Sequence, residues 1–184
     1  MGTIVVIGGS AGGLKPLRQI VQALKPGSRA SIFVVIHTGA NPSQLPTILG
    51  RDGPMPADFG LDGERIVEGR LYVAPPDCHM LLTDSQIRLS HGAKVHFTRP
   101  SVDPLFVSAA DAFGSRVVGV VLSGGDGDGT EGLRAIKRNG GTALVQDPKE
   151  AMVPSMPHTA LMSAHPDGCM PIELLARRVC ELSR

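Results

Sequence analysis

The chain has 184 residues, enough to bury a sizeable core in one domain spanning residues 1–184. Eighteen basic against seventeen acidic residues leave a net charge of +1, no run of Lys or Arg is clustered, and aromatic residues make up only 3%; a nucleic-acid binder would need the basic footprint or the stacking platforms that are missing here. Three cysteines, Cys78, Cys169 and Cys180, are odd in number and share no C-x-x-C spacing, which argues against a disulfide framework or a zinc knuckle and for a reducing, cytoplasmic setting.

No stretch reaches the roughly 18 apolar residues of a membrane span, and no signal peptide opens the chain, so membrane insertion is not expected. Taken in chain order, residues 4–7 form a first β-branched run, followed by Gly8-Gly9-Ser10-Ala11-Gly12 and then by Leu14, Leu17, Val21 and Leu24 at helical spacing. Residues 32–36 form a second run that stops at His37. Residues 70–74, 79–83 and 86–90 alternate in polarity and are broken by Pro75-Pro76-Asp77 and Asp84-Ser85, which predicts an antiparallel β-hairpin insertion. Val102, Leu105, Phe106, Ala109, Ala110 and Phe113 predict a helix with Ser101 as its cap. Residues 117–122 form the third long run and open into Ser123-Gly124-Gly125-Asp126-Gly127-Asp128-Gly129, after which a helix begins near Gly129 and closes at Gly140-Gly141. A weaker strand at 143–145 precedes a last helix carrying Ile172, Leu175, Ala176, Val179 and Leu182, with Pro171 at its first position. Continuous apolar strands alternating with helices define an α/β fold: a doubly wound, mostly parallel sheet with helices on both faces, plus the small hairpin.

Residues 8–12 fit G-x-S-x-G, in which glycines flank a serine because the chain turns too sharply for neighbouring Cβ atoms. The dinucleotide pattern G-x-G-x-x-G fails in both registers, at Ser10 or at Ala11, and no Walker lysine follows Gly13. Three readings stay open for this motif alone: a nucleophile turn, an anion-binding helix N-terminus and a structural corner. Position in the sheet favours the first. Ligands of open α/β sheets bind beyond the carboxyl ends of the strands, and three such ends deliver Ser10, His37 and the carboxylates of the 123–129 loop. A serine hydroxyl needs an imidazole to take its proton, and the imidazole needs an acceptor to fix its tautomer. The Ser, His, Asp order and the short lead-in exclude the α/β-hydrolase fold, which has Ser, Asp, His and earlier strands. An oxyanion would be met by the backbone N–H of Ala11 and a second donor that the sequence does not locate. Asp126 and Asp128 fail the EF-hand register. The histidines His79, His91, His96, His158 and His165 lack ligand spacing and read as surface or supporting groups, so neither metal nor cofactor is expected.

Five ordered stretches, "IGGSAGGL", "VVIH", "GRLYVAPPDCHM", "RPSVDPLFVSAA" and "VVLSGGDGDGTEGLRAIKRNGG", resemble the catalytic domain of bacterial chemotaxis protein-glutamate methylesterases over nearly the whole chain. The resemblance implies Ser10 as nucleophile, His37 as general base and then acid, and Asp128 as the orienting carboxylate. It also implies hydrolysis of γ-glutamyl methyl esters on helical segments of chemoreceptors, with methanol released, and deamidation of glutamines. Gly125 and Asp126 depart from the family's usual L-T/S-G-x-G-x-D-G, and Asp126 adds a charge two residues from Asp128. Arg99, in the R-P-S-V-D stretch, is a candidate for contacting substrate or for fixing the loop through an ion pair. Family members often carry an N-terminal phosphoacceptor receiver domain, whereas this sequence opens directly on the first strand; a free-standing enzyme and a piece of a longer protein both fit. The competing functions are a nucleotide- or phosphate-binding module and a non-catalytic receptor-binding module. Oligomeric state is not legible.

Overall fold

The computed structural model describes residues 2–183. Val and Ile form its strands because β-branched side chains fit a pleated surface, and here that surface is covered on both sides. β1 (Ile4–Gly9) is buried along its whole length and lies between β2 (Ser31–Ile36) and β7 (Val117–Val121), with Ile4 level with Ser31 on one side and Val117 on the other. Beyond β2 come β4 (Leu71–Val73) and then β3 (Ala57–Phe59); beyond β7 come β8 (Thr142–Gln146) and β9 (Gly168–Met170). All six pairings are parallel, in the order β3-β4-β2-β1-β7-β8-β9.

Alternation along the strands sorts the helices into two layers. Val5, Ile7, Ile32 and Val34 face α1 (Leu14–Ala23), α2 (Leu45–Asp52) and α6 (Ile172–Leu182). Ile4, Val6, Phe33 and Val35 face α3 (Val102–Phe113), α4 (Thr130–Arg138) and α5 (Ser155–Ala164). Leu17, Ile20 and Val21 of α1 are fully buried, each contributing about 1.5–3 kcal/mol relative to exposure. Four helices begin with a proline in the first turn, at Pro16, Pro46, Pro104 and Pro157, where the missing N–H would have had no helical partner.

Several boundaries differ from the sequence reading. Residues 71–73 join the parallel sheet as β4; only β5 (His79–Leu82) and β6 (Ile87–Ser90) make the antiparallel hairpin. Leu71, Tyr72 and Val73 are all buried, with Tyr72 stacked on Phe33 at 5.2 Å between ring centres, so both faces are covered and no polar face exists. Ser101 does precede α3, but its hydroxyl caps nothing; it turns back to the Thr98 carbonyl at 2.7 Å. Pro171 stands just outside α6 rather than at its first position. The elements α2, α5, β3 and β9 are not visible in the sequence pattern, the two strands because three residues are too few to show a period.

From β1 the chain winds to β2 on one side, and it later returns to β7 on the other. The crevice beyond the carboxyl ends of β1 and β7 is therefore the switch in winding direction, where open sheets bind their ligands. Gly8 lets α3 sit directly on this end of β1: a Cβ there would lie 2.3 Å from Val102 Cγ1.

Candidate active site

Ser10 leaves β1 with its amide bonded to the Ser123 carbonyl at 2.9 Å, while its own carbonyl accepts the Gly13 amide at 2.9 Å. That closes a four-residue turn whose third position, Gly12, has φ +76, a conformation favouring glycine. Two amides of the glycine-rich loop are thus used within the protein, which speaks against an anion cradle built from all of them. Among the described residues the exposed Ala11 amide has no acceptor, and neither has that of Gly125. Gly124 approaches so closely that a Cβ on it would stand 2.9 Å from Ser10 Cβ.

His37 continues β2, its amide bonded to the Gly9 carbonyl at 3.2 Å, so it stands beside Ser10 at the neighbouring strand end. Its Nε2 lies 2.7 Å from Asp128 Oδ2. Asp128 is fully buried and accepts two further hydrogen bonds, from the amides of Val102 at 2.6 Å and Asp103 at 2.8 Å. It thereby supplies the cap that Ser101 does not, in the place where the α3 dipole favours negative charge. Burial alone would raise the Asp128 carboxyl, but the bonds from His37, Val102 and Asp103 outweigh it and hold the group below the usual carboxylate range. An ionised Asp128 is acceptor only, so the proton of that bond sits on His37 Nε2 and the Nδ1 lone pair is left free. Asp126 Oδ2 stands 4.0 Å from Nδ1, while its other oxygen accepts the Asp128 amide at 2.9 Å and shapes the loop. Among the described residues no hydrogen bond joins the Ser10 hydroxyl to His37. The structure therefore brings His37 and Asp128 into contact and sets Ser10 beside them with its hydroxyl unengaged.

Supporting groups surround this set. Ser123, buried at the end of β7, donates its hydroxyl to the Ala11 carbonyl at 2.8 Å and accepts the Val153 amide at 2.9 Å, fixing the serine turn to the 147–154 loop. Asp103 accepts the Gly132 amide at 2.7 Å through one oxygen and meets His96 Nε2 at 2.9 Å through the other. Burial pushes the Asp103 carboxyl up, with the Asp128 charge adding to it. Burial opposes charge on His96, but its bond to Asp103 and the nearby Asp128 and Asp126 prevail and raise it. His96, Asp103 and Asp128 bring one possible ligand atom each within 4.8 Å, yet these atoms are already matched to one another, to His37 and to amides, as a hydrogen-bonded relay requires. Arg99 donates to Asp77 at 2.8 Å and to the carbonyls of His91 and Gly92 at 2.8 and 2.7 Å, so it fixes the 91–99 loop. Gly125 is exposed with open space around it. A groove of about 390 Å³ runs beside the serine turn between Gly12, Lys15, Gln146 and Met152.

The fold and this edge define a class: doubly wound α/β proteins that set a seryl turn beside an imidazole held by a buried carboxylate. Within it, the chain belongs to the CheB methylesterase family, whose pattern matches residues 5–179. It is 35% identical to a Leptospira interrogans protein provisionally named protein-glutamate methylesterase/protein-glutamine glutaminase, over 98% of this chain and 94% of that one. It is 36% identical to protein-glutamate methylesterase/protein-glutamine glutaminase 2 of Anaeromyxobacter dehalogenans, again over 98% of this chain but 53% of that longer protein. The crystal structure of the Thermotoga maritima CheB methylesterase catalytic domain superposes with a TM-score of 0.92 at 30% identity, covering 99% of both chains. Among the described residues no helix is long and apolar enough to cross a membrane.

Sequence reasoning missed Asp103, Ser123 and the partnership of His96. Asp103 stands inside the R-P-S-V-D stretch and Ser123 opens the aspartate loop, so both lay within stretches already singled out, but nothing in their spacing told an inward side chain from an outward one.

Proposed function

We propose that this chain hydrolyses γ-glutamyl methyl esters on the helical segments of cytoplasmic chemoreceptor regions, releasing methanol, and deamidates glutamines at such positions. The contact between His37 Nε2 and Asp128 Oδ2 at 2.7 Å, one strand end from Ser10, is the observation that carries this reading. Ser10 Oγ attacks the ester carbonyl carbon as its proton passes to His37 Nδ1, the nitrogen that Asp128 leaves free; the hydrogen bond this requires is commonly loose before substrate binds. The tetrahedral oxygen takes the negative charge and meets the Ala11 amide at the head of the turn. For the second donor we propose the Gly125 amide, which has no acceptor among the described residues and follows Gly124 at Ser10. Collapse expels methoxide, which receives the proton from Nδ1 and leaves as methanol. A water then gives its proton to the same nitrogen as its oxygen attacks the acyl carbonyl; collapse breaks the bond to Ser10 Oγ, which takes the proton back from Nδ1, and glutamate and free Ser10 result. With glutamine the same steps release ammonia. Asp128 stays ionised throughout and stabilises the imidazolium.

Methanol release from methylated receptor membranes tests the reading. Ser10→Ala should lower kcat by at least about 10⁴-fold while the protein keeps its fold; release at the wild-type rate would leave the chain a receptor-binding module without chemistry.

A further inference from the structure

Among the described large apolar side chains, the two most exposed are Phe97, at 96%, and Met152, at 78%. Burial of such groups is favourable, so leaving both in water calls for a reason. Both belong to the edge that holds Ser10, His37 and Asp128: Met152 stands over the serine turn, and Phe97 follows His96, whose ring meets Asp103 beside Asp128. Phe97 occupies the tip of a two-residue turn closed by hydrogen bonds between Val95 and Thr98 at 3.1 and 3.0 Å. His96 and Phe97 have φ of +49 and +61, the conformation that such turns normally fill with Asn-Gly. A bulky residue there is strained, and strain of this kind gathers at functional sites. The tip is also anchored, since His96 reaches Asp103, whose amide is bonded to Asp128. Met152 in turn lies over Gly12 of the serine turn: a Cβ on Gly12 would be 2.6 Å from Met152 Cβ and 3.1 Å from its Sδ. Its loop is held by the Val153–Ser123 hydrogen bonds and by the Gly124 amide on the Val153 carbonyl at 3.0 Å.

We propose that Phe97 and Met152 form a two-sided clamp that grips the apolar side chains neighbouring the esterified glutamate on its receptor helix, and so select an ester carried on a folded helix over a free one. The inference rests on the function proposed above. An esterified glutamate side chain can reach Ser10 only if the polypeptide bearing it lies against the rim. There the rigid ring supplies an anchor of low entropy cost, and the flexible thioether adapts to whichever neighbour it meets.

Phe97→Asn, Met152→Ala and the double variant would be compared with wild type on two substrates, methylated receptor membranes and N-acetylglutamate γ-methyl ester, a molecule that carries no neighbouring side chains for a clamp to grip. The clamp requires KM for receptor to rise about 5- to 10-fold per substitution with kcat within about twofold, and kcat/KM for the small ester to stay within about twofold. Equal losses on both substrates, no change on either, or an altered oligomeric state with an unchanged receptor KM would each overturn it. Co-sedimentation of the same variants, built on Ser10→Ala, with receptor membranes reads the clamp without turnover. Absence of methanol release by wild type would therefore sink the catalytic reading and leave this inference to be decided by binding.

Discussion

At the scale of single residues, Asp128 joins two tasks: it orients His37 and closes the N-terminus of α3, with three donors converging on one buried carboxylate. Asn in its place has a single acceptor oxygen and presents an N–H₂ that cannot accept from His37 Nε2. Asp128→Asn should therefore lower kcat for methanol release by about 10⁴-fold and cost about 1–2 kcal/mol of stability from the weakened cap, read by a methanol assay and a thermal melt on one preparation. Wild-type turnover by that variant would remove Asp128 from the mechanism. Phe97 presents the opposite case, a residue whose conformation burdens the fold. Asn accepts a left-handed φ far more readily, so Phe97→Asn should raise Tm by about 2–4 °C, the shift expected of roughly 1 kcal/mol in a chain of this size; a lower Tm would reveal packing that a 96% exposed ring does not show. Ser10 and His37 stand out in the sequence because each sits where an apolar run stops, whereas the choice of Asp128 over Asp126 in the loop that follows residues 117–122 rests on the family resemblance. Phe97 does not stand out, because a turn that needs Asn-Gly but reads His-Phe carries no turn signal.

At the scale of elements, the site depends on how closely α3 sits on β1. Gly8 makes room for Val102, whose amide is one of the two that Asp128 caps. A methyl group at Gly8 would stand 2.3 Å from Val102 Cγ1, so Gly8→Ala must shift the first turn of α3 and carry Asp128 away from His37. We expect a loss of about 1–3 kcal/mol from overpacking, together with a fall in kcat of about 10²-fold, the usual cost of misplacing a catalytic group by an ångström. Thermal unfolding and methanol release test the two limits separately, and a variant that loses stability with full turnover would show that α3 and Asp128 are not coupled. The same closeness explains what was legible among the elements. The long strands β1, β2 and β7 announce themselves by continuous β-branched runs, as do α1, α3 and α6 by their apolar spacing, while α4 is marked only by the glycines at its ends. β4 was misassigned because Leu71-Tyr72-Val73 next to polar Arg70 imitates a strand with one wet face, and only the stacking of Tyr72 on Phe33 shows that the second face is covered. Capping is legible as a need of α3, but the acceptor that meets it, Asp128, comes from 26 residues further along the chain, a distance no local pattern spans.

At the scale of the whole molecule, the buried charges clustered at one edge of the sheet set how stability depends on pH. Asp128 is held below the usual carboxylate range in the folded state, so its contribution is present above about pH 4 and is lost as pH falls through its folded value. Asp103 is raised, first by burial; the folded protein then binds the extra proton, and stability declines as pH climbs from about 4 through the folded value of that group. His96, though exposed, is partly desolvated, which opposes its charge; Asp103 and the neighbouring carboxylates outweigh this and raise it. Its contribution is full below about pH 6.5 and is lost as pH rises through its folded value. The three windows place one loss on the acid side and two on the other, so these groups pull the stability maximum toward mildly acidic pH. His96→Asn isolates the last term, since Asn suits the left-handed turn and can still donate to Asp103 without titrating. Melting temperatures of wild type and variant, taken from pH 5 to pH 9, should differ by a constant amount below about pH 6.5, and that difference should move steadily against the wild type as pH rises further. A difference that stays flat across the whole range would mean that the charge of His96 is not bound to the folding of this edge.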